Sequence, residues 1–103
     1  MLFKETSKFT KIITDLIDDD SYAELQKHLT INPEIGDLII GSHGLRKIRW
    51  KCKGKGKKGG ARIIYYLVTQ EDWILFLTAF SKNEKDDLTK EQIKILCKMV
   101  EGD

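Results

Sequence analysis

Nine of the eighteen Lys and Arg residues lie between Arg46 and Arg62, in a stretch, RKIRWKCKGKGKKGGAR, that holds no Asp or Glu. The rest of the chain carries the other nine basic residues against all sixteen acidic ones, so a net charge of +2 hides a polarised molecule. Crowded like charges repel and destabilise a compact fold unless an anionic partner neutralises them. The partner that this pattern fits is a polyanion, and nucleic acid above all. Arg46, Lys51, Lys53, Lys55, Lys57 and Lys58 are candidate contacts to such a backbone, giving sequence-independent affinity with steep salt dependence.

The charge is carried by an element that can aim it. From Leu45 to Lys53 the residues alternate, with Leu45, Lys47, Arg49, Lys51 and Lys53 on one parity and Arg46, Ile48, Trp50 and Cys52 on the other. That period is a strand with one cationic face. Trp50, Tyr65 and Tyr66 are interleaved with the basic residues and could stack on bases, the competing role of each being in the core.

Residues Gly54 to Gly60 contain G-x-G-x-x-G, but the β-rich ARIIYYLV follows the glycines. A dinucleotide fingerprint needs a helix there to hold a pyrophosphate, so this reading fails. A Walker A loop fails too, because no Gly-Lys-Ser/Thr closes the run. His43, in a Gly-Ser-His-Gly loop before the cationic strand, could act as general acid or base, although a lone loop histidine is more often solvated. Asp18 to Asp20 and Asp86-Asp87 read as acids flanking helices, where the N-terminal dipole favours them.

A chain of 103 residues supports a single domain, residues 1–103, with one modest core. A hydrophobic fraction of 41% and a charged fraction of 33% suit a folded, soluble protein. Charge arrives by Lys4, against a secretory signal, and no apolar run is long enough to span a bilayer. Cys52 and Cys97 stand apart from any metal-ligand or disulfide spacing. A cytoplasmic protein without metal or cofactor is the expectation.

The elements that must position the basic residues follow from periodicity. Met1 to Lys4 could form a short first strand, and Phe9, Ile12, Ile13, Leu16 and Ile17 recur at helical spacing over roughly Ser7 to Ile17. Ser21 and Glu24 offer a capping box for a second helix, which Asn32-Pro33 ends. DLII, LRKIRWKCK, ARIIYYLV and WILFLTAF then form a meander of strands, the last two apolar enough to be covered on both faces. Thr89 and Gln92 cap a final helix. This order predicts an α+β domain: a twisted, mostly antiparallel sheet of about four strands with two N-terminal helices and one C-terminal helix.

Four blocks of sequence carry a resemblance: Asn32-Pro33-Glu34-Ile35-Gly36-Asp37; Gly44-Leu45-Arg46-Lys47-Ile48-Arg49; Gly59-Gly60-Ala61-Arg62-Ile63-Ile64-Tyr65-Tyr66; and Ser81-Lys82-Asn83-Glu84-Lys85-Asp86-Asp87-Leu88. In this order and spacing the chain resembles the HigB branch of the RelE-like toxins. The resemblance implies the toxin of a type II toxin-antitoxin pair, which cleaves messenger RNA in the ribosomal A site and is silenced by a HigA-like helix-turn-helix antitoxin. It also implies metal-independent cleavage, since the substrate's own 2′-hydroxyl attacks the neighbouring phosphate.

On the family pattern, Lys47, Arg49 and Arg62 are the expected catalytic residues, the arginines gripping the scissile phosphate and Lys47 acting as base or second cation. A further basic position falls at Asn83 in this chain, which makes Lys82 and Lys85 the candidates for that role. RelE's later tyrosine has no counterpart, because Leu88 and Thr89 stand there, and His43 and Glu84 are the remaining candidate proton donors. The alternatives are an inhibitor of DNA gyrase, as in the ParE branch of the superfamily, and a non-catalytic RNA-binding module. ParE-like proteins do not need clustered phosphate-binding residues.

Overall fold

Thr6 fixes where the first helix begins. Its hydroxyl accepts the Phe9 N–H at 3.1 Å and starts helix α1, Ser7–Leu16. The same hydroxyl donates to the Leu77 carbonyl at 2.7 Å, tying the helix start to the sheet. Helix α2, Asp19–Ile31, is capped by Asp18, whose carboxylate accepts the Ser21 N–H at 2.8 Å. The predicted cap at Ser21 is thereby corrected: its hydroxyl is engaged by the Trp50 indole N–H at 3.0 Å and lies inside the helix. Asn32, before Pro33, closes α2 as the sequence requires.

The structure, a computed structural model, describes residues 1–51, 60–82 and 87–101. Lys53, Lys55, Lys57, Lys58 and Lys85 lie outside the described residues, as do Asn83 and Glu84. Five strands form one sheet: β1 Leu2–Glu5, β2 Asp37–Leu38, β3 Leu45–Trp50, β4 Ala61–Val68 and β5 Trp73–Ser81. Their spatial order is β1-β5-β4-β3-β2. All neighbours are antiparallel except β1, the short first strand expected near Met1 to Lys4, which runs parallel to β5 and brings the sheet to five strands. Helix α3, Lys90–Glu101, follows a reciprocal cap in which the Thr89 and Gln92 backbone N–H groups each donate to the other's side chain, at 2.9 and 3.1 Å.

The sheet separates two apolar clusters. On one face Phe9, Ile13, Leu16 and Ile17, with Leu25 and Leu29 of α2, pack on Ile48, Ile63, Tyr65, Ile74 and Phe76. Each side chain buried as completely as Phe9 or Phe76 contributes about 1.5–3 kcal/mol. The other face is only partly covered: Leu96 of α3 packs on Leu45, Ile64, Leu77 and Phe80.

A β-bulge reconciles β5 with both clusters. Ile64 pairs with Thr78 and Tyr65 with Phe76, so Leu77 is the extra residue. Its carbonyl is the one that Thr6 bonds. Phe76 and Ala79 consequently share the α1 side, whereas Leu77 and Phe80 share the α3 side. No helix among the described residues is long and apolar enough to cross a membrane.

Candidate active site

The two-residue period of β3 divides its basic residues between the faces. Lys47 and Arg49 share parity with Leu45, which is on the α3 side, and so stand on that face of the sheet. The register of the hairpin sets Arg49 directly opposite Arg62 of β4. Arg62 in turn lies opposite Phe80 of β5, and its side chain is only 6% exposed.

Lys82 follows β5 directly, and its backbone N–H donates to the Gly60 carbonyl at 3.2 Å, which holds it beside the start of β4. Gly60 itself has φ +74, and a Cβ there would sit 2.5 Å from the Trp50 carbonyl oxygen. Glycine is therefore required to close the hairpin that opposes Arg49 and Arg62. Lys47, Arg49, Arg62 and Lys82 line one open recess with Asp37. Four of the five residues expected to be catalytic are thus brought together from β3, β4 and the end of β5, and the fifth, Lys85, is not described.

Two acids temper this field, and the sequence placed neither of them in it. Asp37 is opposite Lys47 in the β2 to β3 register. Asp87 places Oδ1 at 3.2 Å from the Lys47 Nζ and accepts the Leu88 N–H at 2.9 Å. Burial raises the Asp87 pKa, but the Leu88 N–H, Lys47 and Arg62 outweigh it and hold the carboxyl below its ordinary value. No spacing rule connects residues forty positions apart; the only sequence signal was an acidic pair just before a helix, which has a cheaper explanation.

Arg46 and Tyr65 are corrected. Arg46 has the opposite parity from Lys47, so it leaves the sheet on the α1 and α2 side and cannot join the recess. Its Nη1 donates to the Glu34 and Gly36 carbonyls at 2.9 and 2.7 Å, and Nη2 lies 3.6 Å from the Glu34 carboxylate. Tyr65 is fully buried, and no base can stack on it. Its hydroxyl donates to the Pro33 carbonyl at 2.8 Å and accepts the Gly36 N–H at 2.9 Å. Burial pushes the phenol pKa up, against the opposing pull of the Gly36 N–H and Arg46. Together these two side chains pin residues 33–36, the segment that leads into Asp37.

The remaining candidates lie elsewhere. Trp50 is half-buried, its indole N–H bonded to Ser21 and its ring 5.5 Å from that of His28. Tyr66 packs with the α3-side cluster. His43 is exposed, with φ 58, and lines a separate groove with Ser42, Tyr66 and Cys97. Lys51 is exposed just past β3.

Cations from two adjacent strands and from the residue that follows a third, around one recess, make an anion-binding surface. Residues 3–102 match the family described as the RelE toxin of the RelE / RelB toxin-antitoxin system. The chain belongs to the RelE toxin family. Among solved structures, the chain is similar to the Escherichia coli toxin RelE, determined in the free state as a mutant with two arginines changed to alanine. The match has a TM-score of 0.58 and 13% identity, covering 82% of this chain and 86% of that one. At that identity the likeness establishes a shared fold, and membership of the RelE family implies a cognate antitoxin as partner.

Proposed function

We infer that this RelE-family toxin is a ribosome-dependent messenger-RNA endonuclease, acting by attack of the RNA 2′-hydroxyl on its own 3′-phosphate. The observation that carries this reading is the convergence of Lys47, Arg49, Arg62 and Lys82 on one recess. In the reaction the 2′-oxygen bonds to phosphorus, the bond to the 5′-oxygen breaks, and a 2′,3′-cyclic phosphate and a 5′-hydroxyl result. Negative charge grows on the phosphoryl oxygens as the phosphorane forms, and fixed cations stabilise it without reorganising.

Arg62, nearly buried, and Arg49, its cross-strand neighbour, are suited to grip those oxygens. Lys47 serves as a further cation, a role favoured by its pairing with Asp87. Lys82 stands at the recess edge, where it could stabilise or protonate the leaving oxygen. The four sequence blocks support the HigB branch within the family, and with it a HigA-like helix-turn-helix antitoxin.

The decisive experiment incubates purified protein with programmed ribosomes and maps the RNA ends. Cleavage within the A-site codon is expected, and intact message under conditions where another RelE-family toxin cuts would refute the reading. Inhibition of DNA gyrase is the second reading, and the clustered recess cations count against it. Unaltered supercoiling in the presence of the protein is the expected result.

A further inference from the structure

We propose that the Asp87 carboxylate is an internal stand-in for the substrate phosphate, holding Lys47 in the free protein and displaced when RNA enters the recess. The inference rests on the phosphate-binding reading of that recess and identifies a residue that sets its affinity. Asp87 Oδ1 lies 3.2 Å from the Lys47 Nζ, at the outer edge of hydrogen-bond distance and longer than the contact a charged phosphate oxygen would make there. The carboxylate also senses Arg62, so it answers to two of the proposed phosphate-gripping cations.

Two features make the pair displaceable. Asp87 is 61% exposed and stands outside any helix or strand, between the end of β5 and the start of α3. An exposed ion pair of this kind is weak and screened by salt. A phosphodiester offers its charge to Lys47, Arg49 and Arg62 together, whereas Asp87 is paired with Lys47. Displacement still subtracts from the gain, and a carboxylate left near the bound phosphate repels it. Asp87 thus lowers affinity for any anion and favours ligands that engage several recess cations at once.

The test measures binding of a short, fully 2′-O-methylated oligoribonucleotide, which cannot be cleaved, to the full chain by fluorescence anisotropy. Asp87→Asn should bind about three- to fivefold tighter than wild type. In a Lys47→Gln background, where the Lys47 ion pair no longer exists to be broken, the same substitution should give a smaller gain.

Unchanged or weaker binding by Asp87→Asn overturns the proposal. So does an equal gain in both backgrounds, which would mean repulsion without displacement. Arg62→Ala separates this failure from that of the underlying reading: if it leaves wild-type affinity intact, the recess is not the RNA site and both fall. Circular dichroism melts confirm that each variant is folded before its affinity is compared.

Discussion

Arg49 and Arg62 are direct cross-strand partners, two cations set on one face of adjacent antiparallel strands. Opposed positions bring Cβ atoms to about 4.5–5.5 Å, and like charges so placed weaken a sheet. The opposition of these two charges by itself works against the sheet at the recess. Arg49→Thr should stabilise the fold by about 0.5 kcal/mol in denaturant unfolding. It should also slow message cleavage by about 100-fold, the scale of losing one oxyanion donor. Loss of stability in this variant would show that the opposition is compensated.

Arg62 should tolerate no replacement. Arg62→Lys keeps the charge but loses the two-pronged fork, and it should cut cleavage about tenfold or more, with Arg62→Ala at about 100-fold or beyond. Single-turnover cleavage on programmed ribosomes reads both. Equal rates for Arg62→Lys and wild type would place the bidentate grip elsewhere.

Lys47 separates electrostatics from proton transfer. As a cation, it should be replaceable by arginine with most activity kept, whereas Lys47→Gln should lose about 100-fold. An arginine stays protonated and cannot act as a base at neutral pH. If Lys47→Arg is as inactive as Lys47→Gln, proton abstraction by Lys47 becomes the better account.

Tyr65 and Arg46 should govern stability rather than RNA affinity. Tyr65→Phe strips the Pro33 carbonyl and Gly36 N–H of their partner, at a cost of about 1–3 kcal/mol. Gly36→Ala attacks the same contact from the other side, because a Cβ there would lie 2.7 Å from the Tyr65 hydroxyl. Chemical denaturation measures both. The slope of RNA affinity against salt should be unchanged in Tyr65→Phe and in Arg46→Ala, since neither side chain reaches the recess.

Alkaline solution should weaken the fold. Burial raises the pKa of Tyr22, as does the Glu5 carboxylate that accepts its hydroxyl, and burial also raises that of Tyr65. A tyrosine raised in the folded state contributes stability that is complete below its unfolded value of about 10 and lost as pH climbs through the folded value. Denaturant midpoints should begin to fall at about pH 10 and keep falling as the pH rises further, and Tyr22→Phe should flatten that fall. A midpoint equally steep in the variant would assign the loss to other groups.

The sequence made the strands legible because their side chains obey a strict period, and β3 announced its cationic face through Lys47 and Arg49. That same period held the answer for Arg46, whose parity, opposite to that of Lys47 and Arg49, puts it on the other face, but proximity in sequence drew it into the charged group. Tyr65 was ambiguous because its strand is apolar on both sides; only the bond to Gly36 shows where its hydroxyl goes. Ser21 was misread as a cap because nothing local reveals that a tryptophan twenty-nine residues away claims it. Asp37 and Asp87 entered the site through tertiary geometry: a two-residue strand and a bend before α3 bring them to Lys47.

The bulge at Leu77 sets the side on which the chain leaves the sheet. Were Leu77 paired regularly with Ile64 instead of bulged out, everything from Thr78 onward would exchange faces. Lys82 would then point toward the α1 and α2 layer and vanish from the rim it shares with Arg62. Ironing out one irregularity in the middle of β5 would thus be equivalent to relocating a charge five positions away, which makes the strand's pairing, and not only its composition, part of the address of the site.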